Sequence, residues 1–204
     1  MRDETIDDFL RQLAARAAVP GGGTTAALHA AQAAALIAMV ARFSDGPRYD
    51  ARVVGRVLAA ADGLIAEALD LAEADAQAFE VVTRAYRLPR ESPAESEVRS
   101  SAIATALEGA ARPPADLLTL SDRTIGLAED LLPSANRNLL GDLLAAAASV
   151  RAAVEISRVN IEANARGAAD QAVRDGLTTA VGGAAGIIVR TDHLSAEVRE
   201  ILRK

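Results

Sequence analysis

The sequence predicts an all-α fold, and three observations carry that reading. Alanine, the strongest helix former, occupies 48 of the 204 positions. Aromatic residues number only five and tryptophan is absent, whereas strands favour aromatic and β-branched side chains. Apolar residues recur at intervals of three and four along most of the chain instead of alternating. Half of the residues are hydrophobic, so a chain of this length can bury a real core and is not disordered. The small side chains imply helices that approach one another closely. The expected architecture is one domain over residues 1–204, a multihelical array with two long central helices as its spine.

Each element has a local reason. Residues 5–18 form an amphipathic helix with Ile6, Phe9, Leu10 and Leu13 on one face. It stops at Val19-Pro20-Gly21-Gly22-Gly23, where proline disfavours helix before it and three glycines hold one poorly. The second helix, residues 24–43, is apolar on every side and therefore central. Asp45-Gly46-Pro47 makes a turn, and a long stripe from Val53 through Leu64, Ala72 and Val82 marks a third helix over residues 50–87. Ser92-Pro93-Ala94-Glu95 is a capping box opening a helix to about Arg112. Pro113-Pro114 opens the next, to about Leu132, where Pro133 closes it, and a long helix covers residues 138–167. In the tail, Gly182, Gly183 and Gly186 are expected to interrupt the helix, and Ser195 to cap a last short one.

Several function classes fall away. With no cysteine there is no disulfide, thiolate nucleophile or cysteine-based metal site, and the two histidines, His29 and His193, have no metal-ligand spacing. A net charge of −6 argues against a sequence-independent nucleic-acid binder. The acidic start, residues 1–8, does not read as a signal peptide, and the apolar stretch at 26–41 contains His29 and Gln32, so it reads as a buried helix and not a membrane span. The expected setting is cytoplasmic, with no membrane and no nucleic acid as partner.

Four features are not explained by packing. Asp75 lies on the apolar stripe of the third helix, in register with Ala72, Phe79 and Val82. A carboxylate facing a core is costly, so Asp75 either pairs with an arginine or serves as a general acid/base with a raised pKa. The helix over 138–167 carries a polar row of Asp142, Ser149, Ser157, Asn160 and Asn164. Its asparagines either cross-link neighbouring helices or hold a polar ligand, while Asn136 and Asn138 suit capping. The Gly21-Gly22-Gly23-Thr24 turn permits close backbone approach at a helix N-terminus, but lacks the lysine and the preceding strand of a phosphate-binding loop. Arg84, Arg87 and Arg90, with Arg99 further on, make a basic row that is either a solvated face or a carboxylate-binding rim.

Together these segments resemble the cyclodeaminase/cyclohydrolase family of folate enzymes from Thr5 to about Arg166. The resemblance rests on Ile6-Asp7-Asp8-Phe9-Leu10, Pro20-Gly21-Gly22-Gly23-Thr24, Met39-Val40, Asp75-Ala76-Gln77-Ala78-Phe79, Leu88-Pro89-Arg90 with Pro93, Asn136 with Asp142, and Asn160-Ile161-Glu162-Ala163-Asn164. It implies an all-α homodimer acting on a tetrahydrofolate derivative without metal or nucleotide. The activity implied is formimidoyltetrahydrofolate cyclodeaminase or methenyltetrahydrofolate cyclohydrolase. It assigns the catalytic carboxylate to Asp75 and substrate contacts to Gly21, Gly22, Gly23, Thr24, Asp142, Asn160 and Asn164. Thr24, Ala135 and Gly141 replace the family's usual Ser, Gly and Ser. His29 and Gln32 stand where the family is apolar, either as a pair at the dimer interface or as part of a remodelled pocket. The second of these keeps open an alternative, a repurposed or non-catalytic helical dimer that binds another small molecule.

Overall fold

The computed structural model describes residues 2–168 and 170–204. Among them every regular element is helical: α1 (Ile6–Leu13), α2 (Gly22–Arg42), α3 (Ala51–Tyr86), α4 (Pro93–Ala110), α5 (Arg112–Leu131), α6 (Leu140–Ala165) and α7 (Gln171–Leu202), with two 3₁₀ turns, Leu132–Ser134 and Arg137–Leu139, before α6. The longest are α3, of 36 residues, and α7, of 32. The most enclosed is α2, which packs on α3, α5 and α6.

The starts of these helices follow their caps. Thr5 accepts the N–H of Asp8 to open α1, and Asp50 accepts those of Arg52 and Val53 to open α3. At α4 the Ser92 hydroxyl and the Glu95 carboxylate satisfy each other's backbone N–H groups, the reciprocal box read in the sequence. Asn136 accepts from the Asn138 N–H, and its own side chain donates to the Phe43 carbonyl. Its backbone N–H donates to the Ser44 hydroxyl. These bonds tie the end of α2 to the approach to α6, so the two helices run antiparallel and α2's N-terminus lies beside the C-terminal half of α6.

The core is largely alanine and branched aliphatic. Ala26, Ala30, Ala33, Ala34, Ile37 and Val40 of α2 are fully buried against Ala61, Ala68 and Ala72 of α3 and Ala146, Ala147, Val150 and Val154 of α6. A smaller cluster of Val82, Ala85, Ala106 and Ala110 joins α3 to α4. The expectation that α2 is buried all round holds on all but one side. Leu28, His29, Leu36 and Met39 are half-buried, and Gln32 and Ala35 are exposed.

Three elements differ from the sequence reading. α1 ends at Leu13, because Ala14 to Ala18 are exposed and a short helix without packing is marginal. α2 begins at Gly22 rather than Thr24, for a reason that belongs to the site. The largest correction is α7, one continuous helix through Gly182, Gly183, Gly186 and Ser195. Leu177, Ala184, Ile187, Thr191, Leu194 and Val198 form a buried stripe at helical spacing, and that tertiary stripe overrides the glycines. Arg190 adds cross-links to Glu129 and Asp122 of α5, half-exposed and therefore of modest worth.

The three glycines face outward, and a Cβ built on any of them meets nothing. Gly182→Ala, Gly183→Ala and Gly186→Ala should each stabilise the fold by up to about 1 kcal/mol, the cost of glycine inside a helix. Thermal denaturation of each variant reads this directly; a lowered midpoint would mean that another surface covers this side of α7.

Candidate functional site

The site is built on the N-terminus of α2. A helix start leaves backbone N–H groups without partners, and here the capping position is Gly21, which has no side chain to offer. The missing cap comes from another helix. Asp75, midway along α3, places its carboxylate at the first turn of α2, where it accepts from the Thr24 hydroxyl at 3.4 Å and from the Thr24 backbone N–H. Gly23 makes this approach possible. A Cβ there would lie 2.1 Å from Asp75 Oδ1, so any side chain would displace the carboxylate. This is also why α2 starts two residues earlier than its composition suggested: the Asp75 carboxylate stands in for the missing cap, with Gly23 held close against α3.

Opposite Asp75 stands α6. Asn160, Ala163 and Asn164 line a cleft of about 190 Å³ together with Asp75, Gly21, Gly22, Gly23, Ala18, Val19, Phe79 and Ala110. Asn164 donates to the Ala110 carbonyl at 3.0 Å, which fixes its amide and anchors the end of α4; its amide oxygen takes no part in that bond. Asn160 is half-buried and makes no side-chain hydrogen bond among the described residues. Phe79 follows Asp75 by one helical turn and remains 43% exposed, an apolar ring in the lining of the cleft.

No ion pair among the described residues involves Asp75, so the arginine partner weighed in the sequence reading is absent. Burial pushes its carboxyl above the ordinary carboxylate range, and the two Thr24 contacts pull it back only in part. The cleft thus presents a partly desolvated carboxyl group, two carboxamides and an apolar ring. That set can bind a flat polar heterocycle and pass a proton to and from it. Among the described residues no three His, Asp or Glu side chains are grouped to hold a metal ion.

The structure brings together Gly21, Gly22, Gly23, Asp75, Asn160 and Asn164 from three separated segments. It does not bring in the others. Thr24 is 1% exposed and sits behind Asp75, walling a neighbouring hollow rather than the cleft. His29 is half-buried and Gln32 exposed, further along α2, and neither lines the cleft. Asp142 lies in the first turn of α6, about 27 Å along the helix axis from Asn160. Arg84, Arg87 and Arg90 are exposed, and Arg99 donates to the Tyr86 carbonyl and lies over its ring, so this row is a solvated face with one cation–π contact. Phe79 and Ala110 join the site without having been singled out for it. Phe79's position one turn after Asp75 was the available signal.

The family model described as formiminotransferase-cyclodeaminase matches residues 5–182, from the cap of α1 into α7. The chain is 33% identical to the methenyltetrahydrofolate cyclohydrolase of Methylorubrum extorquens over 173 residues, 83% of each protein. It is 29% identical to the formimidoyltransferase-cyclodeaminase of Mus musculus over 85% of this chain, which corresponds to 32% of that longer enzyme. The crystal structure of formiminotetrahydrofolate cyclodeaminase from Thermotoga maritima superposes with a TM-score of 0.82 at 26% identity, covering 99% of this chain and 97% of the other.

The close approach at Gly23 separates two substitutions that look alike in sequence. Gly23→Ala should destabilise the fold by about 1–3 kcal/mol, as overpacking does, and displace Asp75. Gly21→Ala has open space around it and a backbone that other residues adopt, so its cost should stay below about 1 kcal/mol. Paired melting curves test this, and equal losses in the two variants would contradict the contact.

Proposed function

From the membership of this chain in the formiminotransferase-cyclodeaminase family, we propose that it is a folate one-carbon enzyme working on the carbon held between N5 and N10 of tetrahydrofolate. The observation that carries the reading is Asp75: a half-buried carboxyl group with no cationic partner, held at the edge of a cleft between two asparagines. In cyclodeamination N10 attacks the formimino carbon, a proton leaves N10, and the departing nitrogen takes one up and leaves as ammonia. In the cyclohydrolase reaction water adds to the methenyl carbon, gives up a proton, and the ring opens as the released nitrogen is protonated. Both sequences need one group that accepts a proton and returns it. A carboxyl group raised toward neutrality does so more readily than an ordinary aspartate. Asn160 and Asn164 offer donors and acceptors to the pterin edge, and Phe79 an apolar surface to the rest of the substrate. The repurposed-pocket alternative drew on His29 and Gln32, and neither faces this cleft.

A homodimer belongs to the same proposal. The uncovered stripe of α2 has no Asp, Glu, Lys or Arg from Leu28 to Met39, although a quarter of the chain is charged, and α6 carries a second run of small side chains not fully buried at Ala145, Ala148 and Ala152. An uncharged face is where two copies of an acidic protein meet with least repulsion. A cytoplasmic setting also belongs here. The one described helix long and apolar enough to cross a membrane is α2, and 61% of that stretch is buried in the core.

Asp75→Asn keeps the shape and removes the titrating group. Turnover of methenyl- or formimidoyltetrahydrofolate should fall by about 10²-fold or more, with helix content unchanged. Because the folded-state pKa of Asp75 is raised, ionisation works against folding: the wild type loses stability as pH rises from about 4, the ordinary carboxylate value, through the higher folded value. The variant lacks that loss, so its melting temperature should gain on the wild type over that interval and hold the gain at neutral pH. Wild-type turnover in the variant on both substrates would remove Asp75 from the mechanism.

For the dimer, Ala35→Glu and Ala148→Glu put a charge on the α2 stripe and on the α6 run, at sites exposed in the single chain. Light scattering should show a dimer in the wild type and a shift toward monomer in both variants. A wild type that is monomeric at all concentrations would overturn this part of the proposal.

A further inference from the structure

Thr24 is the one polar side chain of α2's first turns that is completely buried, and a buried hydroxyl needs a partner. Its partner is the Asp75 carboxylate, 3.4 Å from the hydroxyl, and the backbone N–H of the same residue reaches that carboxylate too. Thr24 does not line the cleft. It forms part of the wall of a second hollow of about 250 Å³, shared with Phe9, Pro20, Ala72 and Ala76, on the far side of Asp75. Thr24 therefore separates the carboxylate from the space behind it, while Asn160 and Asn164 stand in front.

We propose that Thr24 is a positioning residue for Asp75 and not a substrate contact. Gly23 lets α3 come close, and Thr24 then holds the carboxylate from behind through hydroxyl and N–H and keeps it turned toward the cleft. The β-branch contributes. Threonine is stiff about χ1, so the hydroxyl is aimed in advance. This inference rests on the reading of Asp75 as the acid/base group, and it extends that reading to the residue that keeps Asp75 in place.

The test compares Thr24→Val, which keeps the shape and loses the hydroxyl, with Thr24→Ser, which keeps the hydroxyl and loses the methyl. Two readouts are taken: NMR titration of the Asp75 carboxyl carbon, and the pH dependence of kcat/KM on methenyl- and formimidoyltetrahydrofolate. In the valine variant the carboxylate loses a hydrogen bond that favours its charged form, so its titration and the acidic limb of kcat/KM should both move up by about 0.5–1 pH unit. kcat should fall by up to about tenfold with KM little changed. The serine variant should return both readouts to within about 0.3 pH unit of wild type, within the scatter of one hydrogen bond's effect. An increased KM with an unmoved acidic limb would make Thr24 a substrate contact and overturn the proposal. So would an unshifted Asp75 titration in the valine variant. If valine does not fold, Thr24→Ala against Thr24→Ser poses the same question, and an equal upward shift in both would overturn it. The NMR titration needs no turnover. A wild type inert on both folates, with the expected titration shift in the valine variant, would reject the proposed activity and leave the positioning role standing.

Discussion

The contact between Asp75 and the first turn of α2 is the constraint around which the rest of the molecule is arranged. A helix capped by Gly21 and opening with Gly22 and Gly23 supplies no cap of its own, and one whose remaining residues are mostly alanine and other apolar side chains has little else to fix where it begins. The carboxylate of a different helix fixes it. This sets the relative height of α2 and α3, brings Gly23 against α3 without an intervening side chain, and places α2's N-terminus beside Asn160 and Asn164. The same contact leaves a carboxyl group partly stripped of water with no cation to neutralise it. In a purely structural site, evolution has many ways to avoid that cost: an arginine opposite, or an asparagine in place of the aspartate.

The site and the core use opposite means. About half of the buried apolar side chains of the core are alanines, which have no rotamer freedom and let helices come close. The cleft forms where that packing stops, at the start of α2, the joint between α4 and α5, and the C-terminal turns of α6. Asn164 belongs to both regimes, since its amide ties down the last carbonyl of α4 while its other groups border the cleft. A single side chain thus holds the wall of the site to the scaffold.

Much of this was legible in the sequence, and the misses have physical causes. The box at Ser92 and Glu95 and the burial of most of α2 follow from local chemistry and periodicity. Asp75, Asn160 and Asn164 stood out because polar side chains on an apolar stripe need a reason. Asp142 shows the limit of periodicity. It lies about five turns from Asn160 and so shares its face, but spacing gives a direction around the helix and says nothing of which neighbour stands at that height. Thr24 shows another limit, because the side of a helix's first turn that is inward depends on how α3 crosses it. The glycines of α7 read as breaks because local propensity was the only information there; the buried stripe from Leu177 to Val198 outweighs it once α5 and α6 are in place.

The alanine core also shapes how stability responds to temperature. An alanine side chain freezes no rotamers on burial, so each one enters the core at little entropic cost. It also hides little apolar surface, so unfolding exposes less of it per residue than a core of leucine and phenylalanine would. The heat-capacity change of unfolding scales with that exposure, and a small one flattens the curve of stability against temperature. A fold in which about half of the buried apolar side chains are alanine is therefore expected to have a flatter stability curve than one of the same length built on larger side chains.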